Sequence, residues 1–68
     1  MTPEQFKDWR TRLGLSQTAA AEALGLSRQS VENYERGRRR EDERPVVIPK
    51  TVALACAAVW HRLEPWGT

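Results

Sequence analysis

Three times within its first 37 residues the chain sets a hydroxyl side chain ahead of a helix-forming stretch and a glycine behind it. Thr2 stands before Pro3 and three residues before Gln5, a capping arrangement with proline at the first helical position, and Gly14 follows Leu13. Ser16 precedes Gln17 to Leu24, which holds four alanines, and Gly25 follows. Ser27 precedes Arg28 to Arg36, and Gly37 follows. A hydroxyl oxygen accepts from the orphan amides of a first helical turn, and glycine adopts the left-handed conformation that ends a helix. This punctuation predicts helices over about 3–13, 17–24 and 28–36. The second and third are short and joined only by Gly25-Leu26-Ser27, so they must cross steeply and project the start of the third outward, as in a helix-turn-helix unit.

Apolar spacing assigns the faces. Phe6, Trp9 and Leu13 recur at intervals of three and four, and Val31 and Tyr34 face one way while Gln29, Asn33 and Arg36 face another. The expected core is Phe6, Trp9, Leu13, Ala20, Leu24, Val31 and Tyr34. Residues 37–48 read as a loop with an arginine run, an acidic run and Pro45-Val46-Val47-Ile48. Pro49 opens a last helix, expected over about 50–63, with Pro65 beyond its end. That helix is apolar nearly all round, and one face alone can pack on the other three helices, so a second partner is expected. In so short a chain that partner is the same helix of another copy, through Val52, Cys56, Val59, Trp60 and Leu63. Trp60 and Cys56 can serve core, interface or both. The expected architecture is all-α, a bundle of four to five helices in one domain over 1–68, with helix 4 also serving dimerisation. A domain of this size buries only about 60% of its unfolded surface, so a partner that binds the folded state would stabilise it.

Several function classes drop out. No run of about 18 apolar residues exists to span a membrane, and the N-terminus lacks the basic-then-apolar pattern of a signal peptide. A lone Cys56 allows neither an internal disulfide nor a cysteine-based zinc cluster, which fits a reducing cytoplasm. His61 has no second ligand nearby and reads as a surface residue at a helix C-terminus. One histidine, one cysteine and scattered carboxylates form no catalytic pair. An enzyme is not expected, nor is a cofactor, a metal or a small-molecule ligand. Trp66 has no role readable from the sequence beyond folding back onto the core.

Net charge is only +2, but the charge is unevenly placed. Residues 1–27 balance, whereas 28–40 set Arg28, Arg36, Arg38, Arg39 and Arg40 against Glu32 and Glu35. All but two of the basic residues are arginine, whose planar fork suits phosphate and guanine. On charge alone, a solvated loop would explain the run equally well.

The pattern that decides is Leu13-Gly14-Leu15-Ser16-Gln17, then Ala21, Leu24-Gly25-Leu26-Ser27, Val31 and Tyr34-Glu35-Arg36-Gly37. It resembles the phage-repressor/Cro-type (XRE) helix-turn-helix family across roughly residues 6–37, with glycine, glutamine, apolar and acidic positions all in register. In size the chain is similar to small phage autoregulators, among them the anti-CRISPR-associated repressors. The resemblance implies a lambda-repressor-like bundle that binds double-stranded DNA in the major groove, in the cytoplasm of a bacterial host cell. It implies base contacts from Ser27, Arg28, Gln29 and Asn33, a phosphate held by Gln17, backbone contacts near Ser30 and Arg36, and a semi-buried Arg10–Glu35 salt bridge. Three departures stand out. Ala20 occupies a position usually held by leucine, with Trp9 expected to fill the volume. The charged insert after Gly37 is longer than is typical. The chain ends soon after helix 4, where many relatives continue into a fifth helix.

The chemistry follows from the groove. Arg28 can donate twice to a guanine, and Gln29 and Asn33, four apart on one face, can each pair with an adenine edge. Amides at the start of helix 2 attract a phosphate. Arg36, Arg38, Arg39 and Arg40 can neutralise flanking phosphates, or one can enter a narrow minor groove. The Tyr34 hydroxyl can also reach a phosphate. Arg44 is open between DNA and the acids Glu41, Asp42 and Glu43, which are expected to point away from DNA. The reading is a sequence-specific repressor, binding an inverted repeat as a homodimer and controlling its own operon. The competing one is an antitoxin or anti-repressor module that binds another protein through helix 4.

Overall fold

The computed structural model describes residues 1–67, and among them four helices are joined by turns and one long loop. They are α1 (Pro3–Arg12), α2 (Gln17–Leu24), α3 (Arg28–Arg36) and α4 (Lys50–Trp60). The caps form as their residues require. Thr2 accepts from the Gln5 amide at 3.1 Å, and the Gln5 side chain accepts from the Thr2 amide at 2.8 Å, which satisfies two orphan donors reciprocally. Ser16 accepts from the Ala19 amide at 3.0 Å, and Ser27 from the Ser30 amide at 3.1 Å. Gly25 turns the chain between α2 and α3 at φ +70°, a conformation a side chain adopts only at a cost. Gly37 ends α3 at φ +75°, and a Cβ there would lie 3.3 Å from the Pro3 ring.

The last helix stops earlier than the sequence pattern predicts. It ends at Trp60 rather than near 63, because Arg62 enters the left-handed region at φ +57°. The amides of Arg62 and Leu63 then turn back onto the carbonyls of Val59 and Ala58, at 3.0 and 2.9 Å, a Schellman closure built without glycine. The first helix likewise ends at Arg12, one residue short of expectation.

The core joins all four helices. Phe6 and Trp9 of α1, Ala20 and Ala21 of α2, Val31 of α3, and Val52 and Cys56 of α4 are buried together with Ile48. Leu13, Leu24 and Tyr34 pack against this cluster while half-buried. The Phe6 ring lies 5.4 Å from Trp9 and 5.8 Å from Tyr34, both tilted, so it links α1 to α3. The Trp9 indole donates to the Cys56 carbonyl at 2.9 Å, which ties α1 to α4 across 47 residues and satisfies a donor that burial would otherwise orphan. Trp9 and Ala20 both belong to this buried cluster.

Two expectations are corrected here. Val52 is 8% exposed and Cys56 1%, so both belong to the core of the protomer and cannot line an interface with another copy. Their side of α4 is the one that meets the other helices. Trp66 does not fold back; it is fully exposed.

Candidate nucleic-acid interface

The third helix is anchored on one side and open on the other. Val31 is buried, and Tyr34 lies against Phe6, while Arg28 and Gln29 are exposed and Asn33 is half-buried. Nine residues at about 1.5 Å each give a rod that a major groove admits. Ser27 accepts from the Ser30 amide and also donates to the Ser30 hydroxyl at 3.0 Å, so both serines are held at the helix start. Arg28 pairs loosely with Glu32 one turn on, at 3.6 Å, and both stay partly solvated. The weak pair leaves the guanidinium free to exchange partners.

Beneath this face a part-buried ion pair links α1 to α3. Arg10 donates to Glu35 through Nε at 2.5 Å and Nη2 at 2.9 Å, and through Nη1 to the Leu15 carbonyl at 3.0 Å. The two side chains are only 14% and 8% exposed. The hydrogen bonds to Glu35 raise the Arg10 pKa, burial opposes this, and the charge on Glu35 raises it further. Arg10 is therefore a structural cation. Gln17 joins the group, its Nε2 donating to Glu35 at 3.4 Å. That contact holds the Gln17 amide at the start of α2, beside backbone amides of Gln17 and Thr18 that have no acceptor among the described residues. A cleft lined by Lys7, Gln17, Glu32, Glu35, Arg36 and Arg40 opens at this place. With Glu35 already engaged by Arg10, Lys7, Arg36 and Arg40 give it a cationic rim. Sequence reasoning missed Lys7. Its signal was there, since Lys7 precedes Arg10 by three residues and shares its side of α1.

The charged insert is a loop, as its sequence predicts, closed on itself by a short bridge. Arg38 and Pro45 form an antiparallel bridge, the Arg39 amide donates to the Arg44 carbonyl at 2.9 Å, and the Val46 amide to the Gly37 carbonyl at 3.0 Å. The Glu43 amide donates back to the Arg39 carbonyl at 2.9 Å, with Glu43 itself at φ +57°. The resulting arm returns along α3. Arg36 lies 3.6 Å from Glu43, Arg39 lies 3.4 Å from Glu41 and 3.7 Å from Asp42, and Arg44 lies 3.5 Å from Asp42. Glu41 accepts a hydrogen bond from Gln29 Nε2. The acids do not all turn away from the polar outer side of α3, since Glu41 meets Gln29 there. Arg38 and Arg40 have no ion pair among the described residues.

On α4 the side away from the core stays uncovered. Leu54 and Trp60 are exposed, as is Leu63 beyond the helix, while Val59 packs half-buried against the core. No helix is long and apolar enough to cross a membrane. Among the described residues no group of three histidines, cysteines or acids could hold a metal ion, and His61 is exposed.

Two capped helices joined by a short turn, the second of them anchored with a polar outer side, and a cleft at the start of the first form one arrangement. The sequence matches the helix-turn-helix domain family over residues 4–59, which takes in α4 as well as the helix pair. The chain belongs to that family. It is an XRE-like helix-turn-helix protein, and the family makes it a DNA-binding regulator. No curated protein and no solved structure matches it significantly. The match ends at residue 59, so it leaves Trp60, Leu63 and Trp66 outside the family's pattern.

Proposed function

We propose that this helix-turn-helix protein is a sequence-specific transcriptional repressor that binds an inverted-repeat operator as a homodimer and controls its own operon. The observation that carries the reading is the outer side of α3, where Arg28, Gln29 and Asn33 stand away from the buried Val31. Ser27, Arg28, Gln29 and Asn33 contact bases. Gln17, Ser30, Tyr34, Arg36, Arg38, Arg39 and Arg40 contact phosphates, with Lys7 added from the cleft. Phosphate contacts fix the register, and base contacts carry the sequence. Two protomers would set their third helices one DNA turn apart, roughly 34 Å. The dimer contact is assigned to Val59, Trp60 and Leu63, with Leu54 added. Bound at its own promoter in the bacterial cytoplasm, the dimer represses by blocking polymerase, and its occupancy follows its concentration.

The test is a titration against DNA from upstream of the gene, with stoichiometry read by sedimentation. Two protomers on one site are expected; one protomer per site would overturn the dimer. A second reading, an antitoxin or anti-repressor module, is favoured by the exposed apolar side of α4. Tight association with a neighbouring gene product, in place of upstream DNA, would establish it.

A further inference from the structure

The ordered arm brings an acceptor to a residue assigned to base reading. Gln29 is exposed on the first turn of α3, and its Nε2 donates to Oε1 of Glu41, twelve residues further on. A carboxylate only accepts, so the end of the amide that meets Glu41 is its –NH2. A glutamine amide otherwise turns over easily, because its last torsion is broad and roughly two-fold. The Glu41 bond uses one of the two N–H groups. It leaves the second N–H and the carbonyl oxygen as a donor and an acceptor on one edge. Adenine offers the matching pair, an N7 acceptor beside an N6 donor, whereas guanine offers two acceptors in N7 and O6.

The carboxylate is itself held. Arg39 Nε donates to the other Glu41 oxygen at 3.4 Å, and Arg39 also lies against Asp42. The arm from Arg38 to Arg44 carries four arginines against three acids, so it remains cationic next to DNA. Bringing Glu41 to the groove therefore does not require expelling the arm.

We infer that Glu41 is a positioning residue for base recognition, which fixes the Gln29 amide in the orientation that selects adenine and disfavours guanine. This rests on α3 reading bases. It makes the insert after Gly37 part of the reading apparatus.

The experiment selects bound duplexes from a randomised pool with the wild-type chain and with Glu41→Ala, Glu41→Gln, Gln29→Ala and the double variant Gln29→Ala/Glu41→Ala. Glu41 is half-exposed and its variants should fold, which circular dichroism checks. One position should be adenine in the wild type and unselected in Gln29→Ala. Glu41→Ala should lose adenine-over-guanine preference at that position by about five-fold or more, with the other positions unchanged. Glu41→Gln keeps an acceptor oxygen and should keep the preference. The double variant should be no less selective there than Gln29→Ala alone. Unchanged adenine preference in Glu41→Ala would overturn the inference, even if affinity for all sequences rose. Equal loss in Glu41→Gln would overturn it too, since charge and not the hydrogen bond would then be responsible. A wild-type pool with no enriched sequence would instead refute base reading by α3, and the inference with it.

Discussion

Arg10 and Cys56 show how single side chains are held inside the fold. Arg10 spends three N–H groups inside the protein, two on Glu35 and one on Leu15, so its charge is enclosed while the arginines of the arm remain partly or fully solvated. Arg10→Ala would leave Glu35 mostly buried without its partner, and a loss of about 3–5 kcal/mol is expected in chemical denaturation. DNA binding would fall with the fold, and would return where stabilising conditions restore helix content. Cys56 is buried, and burial pushes its thiol up from 9.0 to about 11. The folded state favours the neutral thiol, so this contribution to stability is fully present below the thiol's ordinary value. It is lost as pH rises towards 11, because the unfolded chain then releases a proton that the folded chain keeps. Alkylation of the native protein near pH 9 should be slow compared with the unfolded chain, and the denaturation midpoint should fall between pH 9 and 11. Equal alkylation rates in the two states would contradict the buried placement.

At the scale of elements, the arm after Gly37 combines cationic side chains with a contact from Glu41 to Gln29 of α3. Replacing Arg38 and Arg40, which have no ion pair among the described residues, by glutamine should weaken binding to every duplex and flatten its dependence on salt, since each phosphate contact releases counterions. A loss confined to one sequence would mean that the run reads groove shape or bases instead. Helices 2 and 3 were legible to the residue because each carries its own start and stop: Ser16 with Gly25, and Ser27 with Gly37. The Arg10–Glu35 pair was legible through family resemblance alone. The end of α4 was not, because Arg62 takes a conformation that a sequence pattern assigns to glycine. Nor was the inward side of α4. A helix apolar all round gives no periodic signal of which stripe meets the core, so Val52 and Cys56 could not be told from an outer face. Ile48 was read as loop, and it fills the core just ahead of α4. The Gln29–Glu41 contact spans twelve residues and depends on the arm's closure, which no local signal carries.

For the whole molecule, the apolar side of α4 and the residues just beyond it are what a small fold leaves unfinished. Leu54, Trp60 and Leu63 are exposed on a chain of 68 residues, and a second copy is the assigned cover. Leu54→Glu with Trp60→Glu should shift sedimentation from dimer to monomer while helix content stays intact, because neither residue belongs to the buried core. Affinity for an inverted repeat should then drop far more than affinity for a single half-site. An unchanged sedimentation coefficient would place the dimer contact elsewhere. The central claim, that the outer side of α3 reads DNA sequence, is tested most directly by one ratio. It compares binding of the operator and a scrambled duplex by the wild-type chain and by Arg28→Ala, at one fixed salt concentration. Arg28 is exposed, so the variant should fold. The account predicts that Arg28→Ala keeps weak binding to both duplexes and loses about five-fold or more of the operator preference, the discrimination of one bidentate contact. An unchanged ratio would contradict it.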